Sequence, residues 1–375
     1  VLALGLLYLG IQKRYEPLLL VPIAFGVLLA NIPNGNMAVV AATSNPEIEH
    51  MTILEIAKNF GIMNMLYYSL IKTSLLPPLI FMGVGALTDF GPMLRNLRLA
   101  FFGAAAQIGI FTVLISAVLL GFSLKEAASL GIIGGADGPT AIYTSIILAP
   151  ELLGPIAIAA YSYMALVPVI IPMVVKVLVS EKELKINMKE QEKAYPSKVK
   201  IENMKMVKIL FPIVLGIIVS VLVPSSVPLL GMLLFGNLIK EIGADTARLY
   251  KAASDTILNV ATIFLGLTVG ATMTASTFLN TETLMIVAGG FIAFAISIAG
   301  GIMAVKVVNI FSKKKINPLI GATGLSAVPM AARVANDIAL KHDSRNHLLQ
   351  YAMSSNISGV IGSAVAAGVL ISFLS

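Results

Sequence analysis

Asp137 lies in the string Gly134-Gly135-Ala136-Asp137-Gly138-Pro139-Thr140, inside an apolar run from 127 to 150. The glycines and Pro139 interrupt a helical hydrogen-bond ladder, so the string reads as a helix break that carries a charge. Hydrophobic residues make up 57% of the chain and charged residues 12%, against about 25% charged in a soluble domain. The surroundings are therefore lipid-like, and a carboxylate at membrane depth is costly and marks a functional site. Asp137 offers a carboxylate, Thr140 a hydroxyl and the broken backbone free carbonyls. These are the oxygen ligands that hard cations take and that broken helices offer to Na⁺. Asp137 also suits the N-cap of the following half-helix, with Pro139 in its first turn.

A second interrupted segment, 316–338, supplies Asn317, Thr323 and Ser326, and Asn317-Pro318 reads as the turn that leads into it. Such neutral oxygens serve either as hydrogen-bonding glue between helices or as ligands opposite Asp137. Arg333, two helical turns further on, has three open roles: pairing with Asp137, snorkelling to the surface, or receiving an anionic substrate with its planar fork. Tyr161, Ser162 and Tyr163 follow the first break. Paired tyrosines suit an interfacial belt, and a deeper phenol at Tyr163 could relay a proton. In the last apolar run, Asn356 and Ser363 are seven residues apart and share a helix face. That face suits close helix packing or the completion of an ion site.

The elements that must hold these groups are apolar spans at 1–11, 17–32, 68–88, 99–122, 127–150, 153–179, 207–223, 225–236, 258–278, 284–311, 316–338 and 348–374. Several are too short or broken to cross a bilayer alone, which takes about 20 residues. The chain is expected to be an all-α polytopic membrane protein. Its net charge of +7 sits in loops and marks topology rather than a nucleic-acid surface. The absence of cysteine excludes disulfides, thiol catalysis and Cys-ligated metals. His50, His342 and His347 all lie in polar segments and suggest no histidine metal site. Val1 opens an apolar run without a Met or a basic leader, so the N-terminus reads as incomplete and no signal peptide is assigned. Asn31-Ile32-Pro33-Asn34-Gly35-Asn36 and Pro224-Ser225-Ser226 read as turns without chemistry.

The stretch 180–206, with seven lysines including Lys198 and Lys200, reads as a cytoplasmic linker between a first repeat, 1–179, and a second, 207–375. Phe81-Met82-Gly83-Val84-Gly85-Ala86 resembles the string from Phe264 to Ala271, and Gly135 to Ala141 lines up with Gly321 to Ala327. Arg95 and Arg98 place one connection inside, whereas its counterpart, Asn280 to Thr283, lacks basic residues and belongs outside. Lys313 to Lys315 belong inside, while their counterpart around Lys125 is balanced by Glu126. The repeats are thus expected to be inverted. Segments 127–150 and 316–338 then become re-entrant helix hairpins that enter from opposite faces and meet near the membrane midplane. Broken backbone at that depth must be buried in protein or line a cavity.

The string Gly131-Ile132-Ile133-Gly134-Gly135-Ala136-Asp137-Gly138-Pro139-Thr140 resembles the signature of the beta subunits of biotin-dependent, sodium-translocating decarboxylases. The resemblance continues through Ala160 to Met164, Gly324 to Val334 and Asn356 to Gly368, and covers nearly the whole chain. It implies that a biotin carrier, charged by a carboxyltransferase alpha subunit, presents carboxybiotin at the cytoplasmic side. Decarboxylation there consumes a proton and drives Na⁺ export across the cytoplasmic (inner) membrane of a bacterium or archaeon. It further implies Asp137 as principal Na⁺ ligand, with Asn317, Gly321 and Ser326 in the facing region and Asn356 and Ser363 along the ion path. Tyr163 matches a tyrosine assigned to Na⁺ binding or proton delivery, and Arg333 an essential arginine that serves the carboxybiotin. A small membrane gamma or delta subunit and a homo-oligomer of beta subunits are also expected. The carrier lysine that bears biotin would be on another chain.

A different class of function uses the same groups. A secondary symporter of Na⁺ with a small carboxylate would also need an oxygen-rich site, with Arg333 on the substrate. Asp137 does not separate the two, whereas coupling to carboxybiotin does.

Overall fold

The computed structural model describes residues 2–14, 17–40, 45–196, 202–275 and 281–375, apart from the side chains of Ala165 and Glu282. Lys198, Lys200 and Asn280 lie outside the described residues. Every element longer than a turn among those described is helical. Among the described residues, six helices are long and apolar enough to cross a membrane: Leu97–Leu119, Met204–Leu222, Pro224–Ile242, Ala244–Ala271, Thr283–Phe311 and Leu349–Leu374. Two bent pairs bring the number to as many as eight. The expected span at 258–278 begins earlier, because a π-helical turn at Ala252–Ile257 joins it to the polar segment before it.

One bent pair is the span that carries the tyrosines. Its halves Pro150–Met164 and Leu166–Leu178 diverge by 67°, and Pro168 and Pro172 lie within the helix. Each proline removes a backbone donor and crowds the carbonyl four residues earlier, which for Pro168 is that of Met164. Tyr161 and Tyr163 therefore stand at a bend in the interior, both buried, rather than at a span end.

Both interrupted segments are helix–break–helix. Ser123 and Glu126 form a capping box that starts the helix Leu124–Gly131. A short 3₁₀ turn, Ile132–Gly135, follows, and Ala136 then adopts φ of 56°, the left-handed region that stops helix propagation. Asp137 starts the second arm, Gly138–Leu148. In the other segment Asn317 Oδ1 accepts from Leu319 N at 3.0 Å and opens the arm Leu319–Ala322. Its chain then runs irregularly to Pro329, and Met330–His342 forms the second arm.

Small residues let these pieces approach. A Cβ on Gly321 would lie 2.1 Å from the Gly301 carbonyl oxygen, and one on Gly301 equally close to that of Gly321. Similar crossings pair Gly359 with Gly324, and Gly103 with Ser355. The repeated glycine strings behave alike. Gly85, on the helix Leu76–Leu87, abuts the Leu233 backbone, and Gly270, on Leu258–Ala271, abuts that of Ile23. The helix Leu76–Leu87 thus packs on Val227–Ile242, and Leu258–Ala271 on Pro17–Ala30.

The lysine-rich stretch is docked rather than a free polar loop. It forms helices Glu181–Leu184 and Met188–Ala194, with Leu184 and Met188 buried. Asn317 and Asn346 both donate to the Ile186 carbonyl at 3.0 Å, and Asn317 also to that of Leu184 at 3.0 Å. Asn187 Nδ2 donates to Asp343 at 3.2 Å, and Tyr351 to Glu192 at 2.5 Å. The Arg345 N–H and the Asn187 amide hold the Asp343 carboxyl below the usual carboxylate range.

Candidate functional site

Asp137 is buried where the two breaks meet. Its Oδ1 accepts the N–H of Thr140 at 3.1 Å, so it caps the arm it precedes. Its Oδ2 accepts the Ser363 hydroxyl at 2.8 Å. Ser363 Oγ lies 2.7 Å from Ser326 Oγ, which donates to the Gly359 carbonyl at 3.0 Å. The tips touch directly, because Ser326 N donates to the Gly135 carbonyl at 3.0 Å. A continuous chain of polar contacts thus runs from the first break through the last helix to the second.

Asn356 belongs to the same face of the last helix, and its amide donates to the Leu325 carbonyl at 2.5 Å. Its Oδ1 is buried and accepts no hydrogen bond among the described residues, and neither does the buried Thr140 Oγ1. Buried acceptors are seldom left without a partner. The Asp137 carboxylate and the Thr140 hydroxyl on the arm it caps are oxygen groups of the kind that a hard cation takes.

Other residues singled out in the sequence lie apart from this cluster. Both amide hydrogens of Asn317 go to the linker carbonyls and its oxygen to its own helix start. Gly321 makes the close backbone crossing with Gly301. Thr323 donates to the carbonyls of Ile320 and Ala352 at 2.8 and 3.0 Å. Arg333 is exposed and makes no ion pair or side-chain hydrogen bond among the described residues, so it does not pair with Asp137.

The two tyrosines diverge. Tyr163 donates to the Val287 carbonyl of the 281–311 helix and packs against Phe291 and Phe294 at centroid distances of 6.1 and 5.6 Å. Tyr161 instead covers the Asp137 tip: a Cβ on Gly138 would lie 2.3 Å from its ring. Its hydroxyl is buried without a hydrogen-bond partner among the described residues.

Two polar residues that the sequence reading passed over brace the tips. Ser297 donates to the Gly134 carbonyl at 2.6 Å. Gln107, where Leu97–Ala106 gives way to Ile108–Leu119, donates toward the carbonyls of Gly103, Gly359 and Gly324 at 3.0, 3.3 and 3.5 Å. A lone amide in an otherwise apolar span was the available signal for Gln107.

On the side of the docked linker, a cavity of about 850 Å³ opens between Arg95, Arg98, Lys314, Glu192 and Tyr351. Arg98 donates to Ser312 at 3.0 Å and Lys314 to the Tyr195 carbonyl at 3.1 Å. Among the described residues, none of the three cations is paired with a carboxylate.

An all-helical membrane protein with a carboxylate held between two broken helices belongs to the broad class that moves ions around a buried site. The particular family follows from comparison with known proteins. The family described as Na⁺-transporting oxaloacetate decarboxylase beta subunit matches residues 1–374, and the chain belongs to it. The methylmalonyl-CoA decarboxylase subunit beta of Propionigenium modestum is 50% identical over 372 residues, covering 98% of this chain and 91% of that one. The oxaloacetate decarboxylase beta chain of Haemophilus ducreyi is 45% identical over 418 aligned residues, covering 100% and 94% respectively. The methylmalonyl-CoA decarboxylase subunit beta of Veillonella parvula is 46% identical over 375, covering 99% and 91%.

Proposed function

We propose that this chain decarboxylates carboxybiotin, presented by a biotin carrier protein that a carboxyltransferase alpha subunit has charged, and couples that step to Na⁺ export. The observation that carries the reading is the meeting of the two helix breaks at Asp137, next to a buried Thr140 hydroxyl that accepts no hydrogen bond among the described residues. Asp137, Ser326, Ser363, Asn356 and Thr140 hold the ion. Asn317 and Gly321 act at one remove, by seating the second hairpin on the linker and on the 281–311 helix. Loss of CO₂ from an N-carboxyl group leaves an electron pair on the ureido nitrogen, which takes up one proton. Tyr163 supplies it when its bond to Val287 opens, and Arg333, exposed and without an ion-pair partner among the described residues, receives the carboxylate. The basic cavity beside the linker admits the carrier's anionic arm.

The two hairpins belong to inverted repeats in the cytoplasmic membrane of a bacterium or archaeon. The reciprocal packing of the glycine-bearing helices supports the repeat. So does the reciprocity at the tips, where Gln107 of the first half reaches Gly324 and Ser297 of the second reaches Gly134. Rocking of one repeat on the other would expose the site to alternate faces. Against 100 mV, export of one Na⁺ costs about 2.3 kcal/mol, so a modestly exergonic decarboxylation can move only one or two ions. A small gamma or delta membrane subunit and further copies of this chain complete the assembly.

The test is CO₂ release from free carboxybiotin by the purified membrane complex in detergent, with NaCl or choline chloride, for wild type and Asp137→Asn. Release is expected to require Na⁺ and to collapse in the variant. Release indifferent to both would remove Asp137 from the coupling.

A further inference from the structure

Gln107 is buried, at 6% exposure, in the interior of the helix that packs on both hairpin tips. Its side-chain orientation is fixed by chemistry: Nε2 faces the carbonyl oxygens of Gly103, Gly359 and Gly324. A flipped amide would set oxygen against three oxygens. The other end, Oε1, is buried and accepts nothing among the described residues. It points toward the tip that carries Asp137. A Cβ on Gly135 would lie 3.6 Å from Gln107 Oε1 and 3.1 Å from the Cβ of Ser363, the residue that donates to Asp137. A Cβ on Gly362, beside Ser363, would lie 3.2 Å from Gln107 Nε2.

We infer that Gln107 contributes its amide oxygen to the cation held at Asp137 and is a determinant of which cation the site accepts. The inference rests on the Na⁺ site proposed above. The residue is well placed for such a role. The amide that supplies the oxygen is held by carbonyls of the second tip and the last helix, so the oxygen is positioned relative to Ser326 and Ser363 as well as Asp137. A neutral ligand adds coordination without a second buried charge, which would strengthen binding at the expense of release. Any movement of the second tip relative to the first would also shift the Gly324 carbonyl and with it the ligand.

The experiment measures ²²Na⁺ binding, and its displacement by Li⁺, on the full chain purified in detergent, for wild type, Asp137→Asn and Gln107→Met. Met is close to Gln in size and flexibility but carries no oxygen. Gln107→Met is expected to weaken Na⁺ roughly 10- to 100-fold, the usual cost of losing a group that sets an ion site, and to change the Na⁺/Li⁺ preference. A purely structural role for the amide would leave that preference intact. Wild-type affinity and preference in Gln107→Met, with binding lost in Asp137→Asn, would overturn the inference and leave the Asp137 site standing. Absence of binding in wild type would instead overturn the site itself.

Should Gln107→Met not fold, a second measurement decides. The chain has four glutamines, and replacing Gln12, Gln191 and Gln350 by Asn leaves Gln107 as the one glutamine in the label. With ¹³Cδ-glutamine, its magnetic resonance signal is expected to shift on addition of NaCl and not of choline chloride. A signal that ignores Na⁺ would overturn the inference.

Discussion

At the scale of single residues, polar residues in apolar runs divide into those gathered at the Asp137 carboxylate and those that hold the scaffold. Ser363 donates to the Asp137 carboxylate at 2.8 Å, whereas Asn317 spends its hydrogen bonds on the linker and its own helix start. Ser363→Ala removes a bond to a charged group, worth about 1.5–3 kcal/mol, which corresponds to roughly 10- to 100-fold in Na⁺ affinity. Asn317→Ala is expected to lower thermal stability in detergent by about 1–3 kcal/mol and to leave Na⁺ affinity within a few-fold of wild type. Calorimetric Na⁺ titration with thermal unfolding of each variant distinguishes them; a large affinity loss in Asn317→Ala would place that residue in the ion site. Asp137 was legible in the sequence because glycines and a proline around a charge, all within an apolar run, break a helix where a bare carboxylate is costly. The linker contacts of Asn317 were not legible, since they are to main-chain carbonyls more than 130 residues away, which carry no side-chain signature. Gln107 was overlooked for a similar reason: it has no spaced partner within its own span.

At the scale of elements, both breaks and the meeting of their tips were readable from the sequence, and the backbone crossings that seat them were not. Ser123 with Glu126 and Asp137 with Pro139 specify where the arms of the first hairpin begin. Tyr161 and Tyr163 both stand on the half Pro150–Met164, and which of them faces the tip depends on how that half docks, which spacing alone does not reveal. The close crossing of Gly301 and Gly321 is what lets the second tip reach the centre. Each would place a Cβ 2.1 Å from the other's carbonyl oxygen, so Gly321→Ala is expected to cost about 1–3 kcal/mol through overpacking. Gly289, on the same long helix, would place its Cβ in open space, and Gly289→Ala is expected to be neutral or to gain up to about 1 kcal/mol of helix propensity. Thermal unfolding of the two variants side by side checks this, and equal stabilities would show that the crossing tolerates a methyl group.

At the scale of the whole molecule, the site is assembled from parts distant in sequence: a break near residue 137, a second near 326 and a helix that ends the chain. The composition announced a membrane protein and the lysine-rich stretch announced a division. That stretch nevertheless clamps the base of the second hairpin through Leu184, Ile186 and Asn187, a role its charge pattern conceals. Docked there, it ties the basic cavity to the base of the second hairpin. The proposed coupling is that chemistry on carboxybiotin moves Na⁺ through the Asp137 site. Its most direct test is ²²Na⁺ accumulation by vesicles into which the purified complex has been reconstituted with its linker side outward. Addition of carboxybiotin is expected to drive Na⁺ into the lumen in wild type and not in Asp137→Asn. No accumulation with carboxybiotin, together with Na⁺ uptake driven by a small carboxylate alone, would contradict the account and identify a symporter.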